Sequence, residues 1–149
     1  LFRSGGARGS LWASQVAVGH ENGLRIRVYG DQAGLEWFQE QPNQLRFSPL
    51  GEPTRLLTRG STAVGQSAAS ATRIPGGHPE GFLEAFANLY RDFADLVVAH
   101  RSGNTQVLAK SLVPDIHEGV RGVEFVEAAV ASSKAGSIWQ RLEKSLEER

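Results

Sequence analysis

Apolar and polar residues alternate along the first part of the chain, the pattern of strands that have one buried face. In the segment LRIRVYG, Leu24, Ile26 and Val28 alternate with Arg25, Arg27 and Tyr29. Comparable patterns predict an antiparallel meander with strands over residues 11–18, 24–30, 34–40, 43–49 and 53–59. A turn over residues 30–34 predicts a hairpin in which Glu36 lies across from Arg25 or Arg27.

The pattern then changes to the 3, 4, 7 spacing of a helix. Pro79 suits the first helical position, Glu80 complements the positive end of the helix dipole, and Gly103 can end the helix in a left-handed conformation. Between sheet and helix, residues 60–73 are small, polar and aperiodic, which predicts a flexible loop. The apolar stripe predicted to be buried comprises Phe82, Leu83, Phe86, Leu89, Tyr90, Phe93, Leu96 and Val97.

A second helix is predicted to begin near Asp115, which has capping-box spacing with Glu118. Gly119 and Gly122 weaken a helix, so their presence suggests close approach of a neighbouring backbone. Gly136 is predicted to end the helix. Residues 137–142 suggest a short terminal strand, and residues 143–149 a solvated helical tail.

Composition excludes several classes of function. The formal net charge is zero, so a broad attraction to nucleic acid or anionic membranes is not expected. The chain has no cysteine, which excludes disulfides, thiol catalysis and thiolate metal sites. No apolar run approaches the roughly 20 residues that a membrane span needs. The 149 residues suffice for one domain, and a start at Leu1 without any methionine favours a fragment of a longer protein over a processed terminus.

Candidate chemistry is sparse. The glycine-dense segment at residues 4–10 lacks G-x-G-x-x-G spacing, and none of the four histidines has metal-ligand spacing, so neither a dinucleotide site nor a metal site is expected. His20 with Glu21 and Asn22 offers three hydrogen-bonding side chains, but the residues alone favour a polar turn. Two glycines precede His78, and Pro79 follows it. The residues alone leave two roles equally open for His78: a polar side chain in a pocket, or a structural position where the helix begins.

Three segments together resemble a known family. They are SGGARGSLWASQVAVGHENGLRIRVYGDQAGLEW, GHPEGFLEAFANLYRDFADLV and PDIHEGVRGVEFVEAAVASSKAGSIW. The last is similar to a closing helix whose usual form is Pro-x-x-x-Asp-Gly-x-Arg, with Glu118 here at the usual Asp. In their order and spacing these segments resemble the C-terminal part of Gfo/Idh/MocA-type NAD(P)-dependent oxidoreductases. The matching positions of the closing segment are Pro114, Gly119, Arg121, Ser132 and Trp139.

The resemblance implies an α+β fold, an open, mostly antiparallel sheet with helices packed on one face, over a single domain at residues 1–149. It implies that the chain is a substrate-binding and oligomerisation domain. NAD or NADP and the catalytic residues are then expected in an N-terminal Rossmann domain that is absent from this sequence. This chain alone is then expected to bind no cofactor or metal and to be inactive. The substrate implied is a sugar or polyol, and the substrate-binding candidates are His20, Glu21, Asn22 and His78.

Association through the exposed face of the sheet is also expected. Arginines and aromatics are typical interface anchors, and here they suggest a homo-oligomer. The first hypothesis is therefore that the chain is part of a cytoplasmic enzyme. The alternative is a non-catalytic binding or dimerisation module, and a carbohydrate lectin is a weaker third possibility. The candidate interface residues are Arg25, Arg27, Trp37, Phe38 and Arg46.

Overall fold

The computed structural model of the protein describes residues 6–106 and 112–142. The chain divides into two compact units, Leu1–Ala85 and Phe86–Arg149. The first unit contains a sheet and a short helix, and the second contains most of the long helical sequence. The predicted tail at residues 143–149 lies outside the described residues, and the expectation of one domain over residues 1–149 stays a prediction.

The first unit is built on a four-stranded antiparallel sheet. Its strands follow one another in space in the order of the chain, β1-β2-β3-β4. The predicted meander, and with it the α+β class with an open antiparallel sheet, is confirmed. The strands are β1 Arg25–Tyr29, β2 Ala33–Phe38, β3 Gln44–Pro49 and β4 Arg55–Thr58.

The register of the first three strands places Glu36 between two arginines. Arg27 is paired with Glu36, and Glu36 is paired with Arg46 on the next strand. The Arg25 side chain donates from Nε to Glu36 Oε1 over 2.8 Å, and Arg46 Nε lies 3.6 Å from Glu36 Oε2. The predicted cross-strand ion pair of Glu36 is therefore confirmed.

Two predicted strands do not form among the described residues. Residues 11–18 and 137–142 contain no strand. A strand is stable only when its backbone N–H and C=O groups pair with another strand, and within the described part of the chain these segments have no such ladder. The predicted loop at residues 60–73 instead contains helix α1, Gln66–Ala71, because its alanines favour helix.

Two long helices follow, α2 Phe82–Ser102 and α3 Ile116–Lys134. Gly103 and Gly136 follow their ends with positive φ angles of 70° and 80°, as predicted. The capping box of α3 is confirmed, because Asp115 Oδ1 accepts from the N–H groups of His117 and Glu118 at 2.8 and 3.2 Å. Its other half is the Asp115 N–H, which donates to Glu118 Oε2 over 3.0 Å.

The predicted start of α2 is wrong. Pro79 precedes the helix, which begins at Phe82. The Gly81 carbonyl accepts the first helical bond, from Ala85 N–H at 2.9 Å, and the Gly81 N–H donates to Glu84 Oε2 over 2.9 Å. The helix therefore begins after Gly81, where the Glu84 carboxylate satisfies a backbone donor that would otherwise have no partner.

Burial is slight in the described residues. Ala99 is their only buried apolar residue and Glu80 their only buried charged one. The α2 stripe predicted to be buried is largely exposed, with Phe86 at 47% and Phe93 at 58%, because burial needs a second apolar surface that the described residues of this unit do not supply. Among the described residues, no atom of another segment lies within 4 Å of a Cβ added at Gly119 or Gly122, so the close approach expected there is not seen. Within residues 6–106 and 112–142, no helix is long and apolar enough to cross a membrane.

Candidate functional site

One edge of the sheet collects the segments that carry the predicted site residues. Because neighbouring strands are antiparallel, the start of β1, the end of β2, the start of β3 and the end of β4 lie at the same edge. His20, Glu21 and Asn22 precede β1, and Arg59 follows β4. We call this the site edge. Its two corners, at β1 and β4, are three strand spacings or about 14 Å apart.

At the β4 corner, Arg59 binds the segment over residues 73–81. Its guanidinium donates to the carbonyl of Ile74 over 2.7 Å and to the carbonyl of His78 over 2.5 Å. Its Nε donates to Asn43 Oδ1 over 2.6 Å, and its backbone N–H donates to the Asn43 carbonyl over 2.9 Å. Arg59 therefore connects the sheet to this segment, which we call the strap (residues 73–81).

Glu80, near the end of the strap, binds the backbone at the beginning of the strap. Its carboxylate accepts from the backbone N–H groups of Arg73 and Ile74 over 2.9 and 3.2 Å, and Oε2 lies 2.6 Å from Arg59 Nη1. The side chains are 15% exposed for Arg59 and 5% exposed for Glu80. Glu80 was predicted to complement the dipole of α2, but its charge is satisfied by Arg59 and the strap backbone instead.

Two glycines allow the strap to lie directly on the end of β4. Gly60 has a φ of +74°, and a Cβ added to it would lie 3.2 Å from the backbone nitrogen of Gly76. The short contact with Gly76 leaves no room for a side chain at Gly60, and the positive φ disfavours any residue that has a Cβ. No sequence motif marks this contact, so sequence reasoning missed Arg59, Gly60 and Gly76.

His78 is presented by this arrangement. The guanidinium of Arg59 holds its carbonyl, and the residue as a whole is exposed. The imidazole is thus attached to a backbone fixed at several points. A role of the His78 side chain in binding stays a prediction.

His20, Glu21 and Asn22 form an exposed turn at the β1 corner. The carbonyl of Asn22 accepts from Leu24 N–H over 2.9 Å and from Gln39 Nε2 over 3.2 Å, which ties the turn to the end of β2. The structure therefore places all four predicted substrate residues at the site edge, but at opposite corners. Their role in binding stays a prediction.

The five predicted interface residues are divided between the two faces of the sheet. Arg25 and Phe38 are paired, so they lie on the same face. Arg27 and Arg46 also lie on that face, because both are paired with Glu36. Residues alternate between faces along a strand, so Trp37 lies on the opposite face, paired with Ile26 and Leu45. Trp37 Nε1 also donates to the Pro42 carbonyl over 3.2 Å, a local bond.

An open pocket with a volume of about 610 Å³ lies beside the strap. It is lined by residues 40–44, at the site edge, and by residues 79–84. The pKa of the Glu84 carboxyl in this lining is lowered from its ordinary value of 4.5, chiefly because the Gly81 N–H donates to it. The lining is therefore anionic at neutral pH and contains amide groups that can bind hydroxyls.

The described part of the glycine-dense segment does not form a dinucleotide-binding turn. Residues 6–14, which include the described part of the glycine-dense segment, form no helix whose N-terminus could bind a pyrophosphate. In the described part of the chain, no group of three or more His, Asp or Glu side chains could hold a metal ion.

Comparison with known proteins identifies the family. Residues 2–142 match the Gfo/Idh/MocA family described as "Oxidoreductase family, C-terminal alpha/beta domain". The uncharacterized oxidoreductase YfiI of Bacillus subtilis is 35% identical over 134 residues, which are 90% of this chain and 34% of that protein.

Solved structures agree with this assignment. An inositol dehydrogenase homolog from Azotobacter vinelandii complexed with NAD+ has a TM-score of 0.87 and 44% identity, over 92% of this chain and 35% of that one. The structure of such a homolog with NADH and myo-inositol has a TM-score of 0.86 and 45% identity, over 91% of this chain and 36% of that one. The chain spans about a third of the length of these relatives, and it belongs to the Gfo/Idh/MocA oxidoreductases, of which it represents the C-terminal alpha/beta domain.

Proposed function

We propose that this chain is the substrate-binding domain of an NAD(P)-dependent oxidoreductase that acts on a polyol or sugar. The observation that carries the proposal is the likeness to an inositol dehydrogenase homolog complexed with NADH and myo-inositol, at 45% identity over 91% of the chain. In the full-length protein, the nicotinamide cofactor supplies the hydride chemistry. The cytoplasmic location expected from the sequence stays a prediction.

The residues of this domain would bind the hydroxyl groups of the substrate. An imidazole, a carboxylate and an amide supply both donors and acceptors, which a polyol needs at several hydroxyls. Correct orientation of the reacting carbon can contribute much of the rate enhancement. We assign this role to His78 at the β4 corner and to His20, Glu21 and Asn22 at the β1 corner.

Replacement of His78 by alanine in the full-length protein is expected to raise KM for the accepted polyol about tenfold, the value of one hydrogen bond of roughly 1.4 kcal/mol. The measurement is the reduction of NAD+ and NADP+ with a panel of monocyclic polyols, monosaccharides and disaccharides. The disaccharides test whether a ligand spans both corners of the site edge. His100→Ala, at the exposed end of α2, is the matched control.

Two results would contradict these assignments. If the full-length protein oxidises no polyol or sugar with either cofactor, the proposed function is wrong. If it does so and His78→Ala leaves KM unchanged for every accepted substrate, His78 does not belong to the binding site.

We also propose that the domain associates through the sheet face that carries Arg25, Arg27, Phe38 and Arg46. This face presents three arginines and one acid over β1–β3, with Leu56 of β4 54% exposed on the same face. Arginine and aromatic residues supply the contacts typical of protein interfaces. This association is also what the alternative of a non-catalytic dimerisation module requires.

Sedimentation velocity of the wild-type protein is expected to show a dimer whose fraction rises with protein concentration. Phe38→Asp should abolish this dimer, because a carboxylate buried without a partner in the interface disfavours association. Leu50→Asp, a change at a turn residue that is 74% exposed, is the control and should leave the dimer intact. A strict monomer at high micromolar concentration would rule out association through this face.

A further inference from the structure

The strap is held by one ion pair that does not itself face solvent. Arg59 and Glu80 are the two least exposed charged partners among the described ion pairs, whereas every other such pair has at least one side chain more than 40% exposed. Their donors and acceptors point at the strap backbone. The charged groups of this pair therefore stabilise the conformation of the strap.

The hydrogen bonds constrain the strap at both ends. Glu80 accepts from the N–H groups of Arg73 and Ile74, at the beginning of the strap. Arg59 donates to the carbonyls of Ile74 and His78, one near each end. A lysine has a single ammonium group and does not match this forked arrangement of acceptors.

The strap is also fixed to the sheet. Arg59 is bound to Asn43 by both its side chain and its backbone, and Gly60 packs on Gly76. The carbonyl of His78 is therefore connected to the strands through Arg59. A displacement of the guanidinium moves the residue that carries the imidazole.

We infer that Arg59 and Glu80 are positioning residues for polyol binding, which they control by fixing the strap backbone that presents His78. This inference rests on the proposed function. Glu80 is among the residues that line the pocket, but its carboxylate binds Arg59 and the strap backbone, so the role does not require contact with the substrate. The Glu80 carboxylate and the Arg59 guanidinium act as one unit, because each holds a part of the strap and each neutralises the other.

The test compares Glu80→Gln with the wild type in the full-length protein. Glutamine keeps the shape of the side chain but loses the charge opposite Arg59 and one of the two acceptor oxygens. We expect KM for the polyol to rise on the order of tenfold, with KM for the cofactor unchanged, because small displacements of binding groups cost rate and affinity. Glu52→Gln, which removes the exposed ion pair with Arg55, is the matched control.

A double-mutant cycle separates positioning from general stabilisation. In a His78→Ala background, Glu80→Gln should have no further effect on KM, because the group it positions is gone. Equal effects in both backgrounds would overturn the inference. Arg59→Lys provides a second variant that keeps the charge beside Glu80; it too should raise KM for the polyol and leave KM for the cofactor unchanged.

Amide hydrogen exchange tests the strap independently of catalysis. In the full-length protein, Glu80→Gln is expected to speed exchange of the Arg73 and Ile74 amides on the order of tenfold or more, and Glu52→Gln is not. Unchanged exchange would overturn the positioning role. If the full-length protein turns over no polyol, the proposed function fails together with the polyol half of this inference, whereas exchange still decides whether the pair holds the strap.

Discussion

Replacement of Arg59 by methionine is expected to lower the free energy of unfolding by about 3–5 kcal/mol. The change leaves the Glu80 carboxylate, 5% exposed, without its ion-pair partner, and it removes donors from the Ile74 and His78 carbonyls. Methionine has a similar length, so the loss arises from charge and hydrogen bonding more than from volume. The measurement is urea unfolding of the 149-residue chain, followed by tryptophan fluorescence.

The chain offers a matched control for this change. Arg55 forms an ion pair with Glu52, and these side chains are 56% and 52% exposed. Arg55→Met should cost no more than about 1 kcal/mol, because exposed ion pairs are screened by water. A second check is Arg59→Met combined with Glu80→Leu, which should restore part of the stability because no unpaired buried charge remains. Equal losses for Arg55→Met and Arg59→Met would contradict the importance of burial.

Replacement of Gly60 by alanine is expected to cost about 2–3 kcal/mol, from a left-handed conformation and a steric conflict together. The φ of +74° is strained for any residue with a Cβ, and the added Cβ would lie 3.2 and 3.3 Å from the nitrogen and Cα of Gly76. Both neighbouring atoms are backbone, so they cannot move aside as a flexible side chain can. Thermal or urea unfolding of the same chain measures the loss.

Gly51 separates the two contributions. Its φ is also +74°, but among the described residues no atom beyond its two chain neighbours lies within 4 Å of an added Cβ. Gly51→Ala should therefore show the conformational cost alone, about 1–2 kcal/mol. If Gly60→Ala costs no more than Gly51→Ala, the strap does not pack on Gly60 in solution in the way the structure describes.

The parts of the fold that sequence patterns predicted are those set by neighbours along the chain. The β1–β2 hairpin, the Glu36 ion pair and the Asp115 capping box each join residues within one hairpin or one helical turn. Local geometry and alternation are sufficient there. The predicted strands at residues 11–18 and 137–142 depended on partners elsewhere, and alternation does not identify a partner.

The candidate site shows the same division. His20, Glu21, Asn22 and His78 were selected by residue type and by resemblance. The direction of β1 then places the first three at the site edge, and Arg59 holds the backbone of His78 there. Arg59 and Glu80 are 21 positions apart, and nothing in their immediate sequence indicates that they meet. Glu80 in particular has the sequence position of a helix-dipole residue, a role that its bonds to Arg59 and the strap exclude.

Periodicity and short-range motifs thus predicted the meander of β1–β4, the two long helices and the glycines that end them, because these depend on backbone preferences and on contacts within a few residues. The α+β class was implied by the family resemblance. The tertiary structure alone decided which backbone Gly60 touches and which charge Glu80 neutralises. Those outcomes depend on the close packing of segments far apart in the chain, where a carboxylate binds the nearest available donors and not those next to it in sequence.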